Sequence, residues 1–388
     1  MLWEQYVFQR GTKVQDLWER MYRDRREAEK PVKILYIAGR GFDVRANAVL
    51  EKYVESVSES ACRIEKAELV LVGFSSYQLS QELQEQTDEN AKILSSLFER
   101  LGSTTTVHIG ANGEEEDISA ASLLRQGNDQ LMQLISDHTD IVLDVSSLPR
   151  IAYLSFMLAL LQRLVKVNGN SYLLSGGGVT FQILVGEDAR LDGKIQSEDP
   201  SNDLVMIPGF ATALQAESMQ DWPLVWFPIL GENKNAQLQK VMEAVPLAAE
   251  ICPVLPHPSK DLRRGDKLLL EYKASLFDSK DIPLTNVMYA HESHPFEAYR
   301  QLLTAMSRYQ KSMSLLGGCR LVVTPLASKL ITLGVALACF EMKLKVANSN
   351  YAVAIPNAEP QRYAVPLEEL RKSEPEISML ILTGEPYQ

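Results

Sequence analysis

The 388-residue chain holds only four cysteines, Cys62, Cys252, Cys319 and Cys339, and none of them stands in a CxxC or CxH spacing. Their scarcity and scatter exclude a disulfide scaffold and a cysteine-built zinc site, and they point to reduced thiols buried in a cytoplasmic protein. Long hydrophobic runs are missing as well. The longest, Ile151 to Leu161 and Leu330 to Phe340, have eleven residues each, against the roughly 20 needed to span a bilayer. They read as buried core helices, and no membrane contact is expected. The first 28 residues lack the continuous apolar stretch of a secretion signal. Positive charge is in deficit: 39 Lys and Arg against 50 Asp and Glu leave −11. An extended nucleic-acid surface, which needs clustered cations, is therefore not expected. There is no GxxxxGK[ST] loop and no GxSxG elbow, so neither a P-loop nor a hydrolase nucleophile is signalled.

What is present is ordinary for a globular protein: 23% charged and 46% hydrophobic residues, at a length that suits two or three domains. The acidity is local. Residues 81–130 hold ten acids against Lys92, Arg100 and Arg125. The run Glu114-Glu115-Glu116-Asp117 follows the turn cluster Gly110 to Gly113 and reads as a solvated loop before a helix.

Residues 1–29 space Trp3, Tyr6, Val7, Val14, Leu17, Trp18 and Met21 at helical intervals around Gly11, which predicts a helical appendage of two short amphipathic helices. Apolar strands then alternate with helical stretches: Val32 to Ala38, Glu68 to Phe74, Thr104 to Ile109 and Asp140 to Val145, each followed by a helix. Near-continuous apolar strands between helices mark a parallel sheet covered on both faces, a Rossmann-like, doubly wound α/β lobe over 30–168. Residues 169–215 turn glycine-rich, with short strands only, and predict a β-rich bridge that could extend the sheet antiparallel. The alternation resumes over 216–388, a second Rossmann-like lobe.

The two lobes form a degenerate internal repeat. Lys33 to Ser56 matches Leu224 to Val245, and the strand at Glu68 with its helix is paired with the strand at Asn286. Ile141 to Arg150 with its buried helix matches Leu321 to Lys329 with its own.

Ligands of open parallel sheets bind beyond the carboxyl ends of the strands, so the loops there carry the candidates. In Gly39-Arg40-Gly41-Phe42-Asp43-Val44-Arg45, the glycines let backbone amides approach an anion, and Arg40 and Arg45 could clamp it. The alternative is a tight turn in which Asp43 caps the helix and pairs with Arg40. In Asp144-Val145-Ser146-Ser147-Leu148-Pro149-Arg150, two hydroxyls and a cation open a helix. An arginine there opposes the helix dipole unless an anion compensates. Thr324-Pro325-Leu326-Ala327-Ser328-Lys329 repeats the pattern, with Ser328 as cap and Lys329 as the cation. Gly231 to Asn235 reads as a polar turn. His291 and His294 have no third ligand, and capping ahead of Pro295 explains them better than a metal does. Asp43 and Asp144 are the candidates for a general base. No cofactor is named by any of these patterns.

The strand-Asp-x-Ser-x-x-x-Arg-helix pattern of Asp144 to Arg150, repeated loosely at Thr324 to Lys329, resembles the ligand loop of CARF domains, the CRISPR-associated Rossmann-fold sensors of cyclic oligoadenylates. Leu148-Pro149 replaces the glycine-rich turn of that family. The resemblance implies a two-lobed nucleotide sensor. The residues alone imply a nucleotide-like or phosphorylated small anion bound by Gly39, Arg40, Gly41, Arg45, Ser146, Ser147, Arg150, Ser328 and Lys329. The protein would act as a regulatory module, with protein partners at the N-terminal helices, or as an enzyme on nucleotides or sugar phosphates. A scaffold with a vestigial site is the third reading.

Overall fold

The computed structural model describes residues 1–74, 78–109, 120–168, 171–192, 194–200, 204–345 and 350–387. The acidic run Glu114 to Asp117 lies outside them. The chain opens on strand β1 (Val7–Arg10) and a single helix, α1 (Thr12–Glu27). This corrects the expected pair of helices: Val7 and Phe8 are good strand formers, and an antiparallel partner from the far end of the chain takes them. The apolar face of α1, with Val14, Leu17, Trp18, Met21 and Tyr22, is buried in the lobe.

Then β2 (Val32–Gly39), α2 (Arg45–Glu59), β3 (Ile64–Phe74), α3 (Gln81–Phe98), β4 (Ser103–Ile109), α4 (Ala120–Leu134), β5 (Asp140–Asp144) and α5 (Arg150–Leu164) alternate. A small hairpin, β6 (Lys166–Asn168) and β7 (Ser171–Leu173), precedes β8 (Thr180–Glu187), the one-turn α6 (Ala189–Asp192) and β9 (Gln196–Pro200). The second series runs β10 (Val205–Met206), α7 (Thr212–Gln215), β11 (Leu224–Ile229), α8 (Asn235–Ala244), β12 (Glu250–Ile251), β13 (Val254–Pro256), α9 (Arg264–Glu271), β14 (Met288–Ala290) and α10 (Pro295–Met313). It continues with β15 (Cys319–Pro325), α11 (Lys329–Leu344), β16 (Tyr351–Ala354), β17 (Pro356–Asn357) and β18 (Pro360–Ala364), and the chain ends in α12 (Leu367–Arg371) and β19 (Glu376–Thr383).

Two compact units result. The first is Leu2–Gln196 with Tyr363–Gln388, and the second is Ser197–Arg362. The sheet of the first unit has the order β1-β19-β8-β5-β2-β3-β4. Its β8, β5, β2, β3 and β4 are parallel, while β19 runs antiparallel between β8 and β1. β8 therefore joins the sheet in parallel, and the antiparallel extension comes from β19 and β1 rather than from residues 169–215. That span contributes β8 to the first unit, and β10 and α7 to the second. Tyr363–Gln388 belongs with the first unit, not with the residues 216–362 that precede it.

The second sheet is parallel throughout, ordered β14-β13-β11-β15-β16, with β12 also on β11. Taking β2, β3, β4, β5 and β8 in one unit and β11, β13, β14, β15 and β16 in the other, the first strand is central, the next two lie on one side, and the fourth and fifth on the other. This is the Rossmann order 3-2-1-4-5, and the topological switch falls between β2 and β5 and between β11 and β15. The repeat is thus a repeat of topology. It also shifts one pairing: the counterpart of β3 is β13, and β14 corresponds to β4.

Both expected core helices are buried nearly all round, α5 from Ile151 to Leu164 and α11 from Leu330 to Met342. In the first unit Ile34, Tyr36 and Ala38 of β2 pack with Trp18 and Tyr22 of α1 and Val49, Leu50 and Tyr53 of α2. In the second, Trp226, Val322 and Leu326 pack with Leu238, Leu268 and Tyr272.

Candidate functional site

At the switch point of the first unit the two strand-end loops touch. The Ser147 hydroxyl donates to the Gly39 carbonyl at 2.8 Å, and a side-chain carbon at Gly39 or Gly41 would lie 2.8–2.9 Å from Ser147. The glycines are there to let the loops close. Asp43 and Arg45 form a buried chelate: Arg45 Nε and Nη2 donate to Asp43 at 2.6–3.1 Å, and Nη1 reaches Asp192 at 2.6 Å. Burial works against the guanidinium charge, but Asp43 and Asp192 outweigh it and raise its pKa. Arg40 pairs with Asp88 at 2.6 Å rather than with Asp43. Asp144 is fully buried, accepting from the Tyr36 hydroxyl at 3.0 Å and the Ser146 amide at 2.8 Å. Burial first, and then Asp144, push the Tyr36 phenol well above its ordinary range. The Ser146 hydroxyl accepts from the Gly186 amide at 2.8 Å. Arg150 is half-buried at the first position of α5, whose cap residue, Pro149, offers no side-chain acceptor.

The returning C-terminal segment packs beside these loops. Phe42, Leu83, Leu191 and Leu370 form a buried cluster with Leu367 and Tyr363, and the Phe42 and Tyr363 rings lie 5.9 Å apart. Arg371 bonds to Gln86 of α3, Lys194 pairs with Glu369, and the Ser373 hydroxyl bonds to Asp188. Most of the expected first-lobe residues are thus engaged within the lobe, and Arg40, Ser147 and Arg150 remain its partly exposed members.

The second unit builds its switch point differently. A carbon at Gly231 would lie 2.2 Å from the Leu326 carbonyl oxygen, so this glycine closes the β11 and β15 loops as Gly39 does those of β2 and β5. Asn233 takes a left-handed turn (φ 57°), and its amide donates to Glu271 at 2.9 Å. Three further strand-end residues, not signalled by the sequence, meet here. Arg264 opens α9 and reaches Glu232 at 3.2 Å, and it also pairs with Glu292 after β14. Glu292, buried, accepts from the Lys260 amide at 3.0 Å and from the Ser259 hydroxyl. The signal for Arg264 was weak, because β13 is only three residues long and ends in proline.

Ser328 stands at the N-cap of α11 without capping it: no side chain accepts from the first amides, and its hydroxyl points to the Glu292 carbonyl at 3.5 Å. The N-cap residue of α8, Lys234, makes no side-chain cap of its own, but the Glu271 carboxylate accepts from the Asn233 and Lys234 amides there. Lys329 is the first residue of α11 and is half-buried. His294 caps α10, accepting from the Glu297 amide at 3.3 Å ahead of Pro295, as expected. Among the described residues no group of three His, Cys, Asp or Glu side chains could hold a metal ion. No helix there is long and apolar enough to cross a membrane.

No known family profile matches the chain, and no curated protein does. Among solved structures, a putative universal stress protein from Pseudomonas aeruginosa UCBPP-PA14 aligns over 85% of this chain and 94% of its own, at 9% identity and a TM-score of 0.24, a likeness too slight to carry an argument. The chain is a two-unit α/β protein of Rossmann-like strand order, described by its own geometry.

Proposed function

We propose that the protein is a regulatory module that binds a nucleotide-like, phosphorylated small anion at the switch point of its second unit. The observation that carries this reading is the start of α11, one of the two helix N-termini flanking that switch point. α8 and α11 both begin without a side-chain cap from the N-cap residue, and a lysine stands at the start of each, Lys234 and Lys329. A positive dipole end and the first amides of a helix favour an anion, and a lysine beside them adds a charge-assisted donor. At α8 the Glu271 carboxylate already accepts from the Asn233 and Lys234 amides, so the start of α11 carries the reading. Arg264 stands at the start of α9, held by Glu232 and Glu292. Arg150 supports a weaker, second seat in the first unit by the same argument.

Asp43 and Asp144 are buried and bonded within the lobe, which favours a binding role over general-base catalysis. The regulatory reading follows from that contrast and extends to the cyclic oligoadenylates implied by the CARF resemblance. Calorimetric titration of the full chain with ATP, AMP, cyclic tetra-adenylate and inorganic phosphate tests it. At least one should bind, with affinity falling as salt rises, and Lys329→Ala and Lys234→Ala should each weaken it by about ten-fold, the loss of one charge-assisted contact. A bound nucleotide with unchanged affinity in both variants, or no binding across the panel, would overturn the proposal.

A further inference from the structure

A concavity lies in the second unit, at the ends of the strands opposite the switch point. It has a volume of about 770 Å³ and is walled by one stripe of α10 and by the residues that lead into β13 and β14. Cys252 precedes β13, and Asn286 and Val287 precede β14, so the cavity sits at the amino ends of these strands, away from Lys234, Arg264 and Lys329. From α10 come Arg300, Thr304, Ala305, Arg308, Tyr309 and Ser312, spaced by three and four residues and hence on one face. The other face of α10, with Phe296, Tyr299, Leu302 and Met306, is buried in the core.

The lining has two kinds of surface. Met288, Val287, Ala305 and the rings of Tyr289 and Tyr309 are apolar. Arg300 and Arg308 stand two helical turns apart, about 12 Å along the axis. Arg300 has a half-exposed contact of 3.5 Å with Glu297. Arg308 is exposed and, among the described residues, its side chain makes no ion pair or hydrogen bond. Two carboxylates border the lining, Glu297 beside Arg300 and Glu250, which accepts from Asn286 at 3.0 Å. Cys252 is buried against the Tyr309 hydroxyl at 3.1 Å. Burial pushes both the thiol and the phenol up, so these two groups are neutral at neutral pH and receptive to an apolar group. The volume falls in the range of small-molecule sites, which are mostly apolar with a few placed polar groups.

We propose that this cavity is a ligand site in its own right, taking an elongated amphipathic anion: an apolar or aromatic body laid along Met288, Ala305 and the two tyrosines, with a carboxylate, sulfonate or phosphate held by Arg308 and Arg300. The site is independent of the switch-point reading and stands or falls without it. Fluorescence titration of the full chain with 8-anilinonaphthalene-1-sulfonate tests it. The dye should show saturable binding. Arg308→Ala, a change at an exposed position that leaves folding intact, should weaken it by about ten-fold or more, and Ala305→Trp should weaken it likewise by placing an indole where the apolar body lies. Lys329→Ala should leave it unchanged, which separates this site from the switch point. Competition with dodecanoate and with AMP then tells a fatty-acyl from a nucleotide source of the same chemistry. Dye binding that is equal in the parent, Arg308→Ala and Ala305→Trp proteins places the dye elsewhere and overturns the proposal. Displacement by inorganic phosphate as effective as by either organic anion overturns it too, because the body would then contribute nothing.

Discussion

Arg45 shows how a residue chosen for ligand chemistry serves the fold. All three of its guanidinium nitrogens donate to Asp43 or Asp192 within a closed loop, and the side chain is 2% exposed. Removing one partner of a buried pair strands the other charge, at a cost of about 3–5 kcal/mol. Arg45→Ala should therefore lower the urea midpoint of the first unit by that equivalent, and a loss below about 1 kcal/mol would return the residue to the surface. His138, beside Lys66 and Glu68, gives a pH signature. Burial first, and Lys66 second, hold its pKa below 6.5, against the pull of Glu68. The folded ring stays neutral while the unfolded one takes a proton below about 6.5. Its contribution is thus complete above that pH and is lost as pH falls toward the lower folded value. Urea midpoints should decline between pH 7.5 and 5.5 in the parent protein and decline less in His138→Gln. An identical slope in the two would exclude His138 as the source. Neither role could be read in the sequence: a charge beside a glycine looks the same whether its partner is a phosphate or an aspartate 147 residues away.

At the scale of elements, the two strand-end glycines perform one task in two places. Gly39 meets Ser147, and Gly231 meets Leu326 and Ala327. Gly231→Ala forces a carbon to 2.2 Å from a backbone oxygen, so the β11 and β15 loops must part. Overpacking of this kind costs about 1–3 kcal/mol. Gly265, in the first turn of α9, has its nearest neighbour at 3.8 Å, and Gly265→Ala should stabilise by up to about 1 kcal/mol through helix propensity. Thermal unfolding of the two variants should move in opposite directions, and equal shifts would show that the loop contact is not tight. The βα alternation, the strand-end glycines and the two buried helices were legible because each is set by a local pattern. β1 was not, because its partner, β19, is more than 360 residues away and its own spacing imitates a helix. The pairing of β3 with β14 failed for a related reason. Ala249 to Leu255 reads as one possible strand, whereas the fold splits that run into β12 and β13, of two and three residues, which leaves the counterpart of β3 in two short pieces.

For the whole molecule, the decisive fact is that the first unit is made from both ends of the chain. β19 lies between β8 and β1, its register running from Glu376 opposite Glu187 to Thr383 opposite Phe181. β1 has no other strand partner among the described residues. A fragment ending at Gln196 would leave β8 with a bare edge and β1 with nothing to pair with, and it would also lose Leu370 and Tyr363 from the cluster around Phe42. Unpaired apolar edges recruit other chains. Residues 2–196 alone should therefore aggregate or unfold without a cooperative transition, whereas residues 197–362, whose central strands find their partners within the segment, should melt cooperatively. Adding a peptide of residues 363–388 in trans should restore cooperative melting to 2–196, because it supplies β19 and α12 together. Circular dichroism melts of the two fragments, with and without the peptide, decide the matter. A stable, monomeric 2–196 would show that β19 is an accessory to the first sheet, and failure of the peptide to restore cooperativity would show that the strand docks only while still tethered through the second unit.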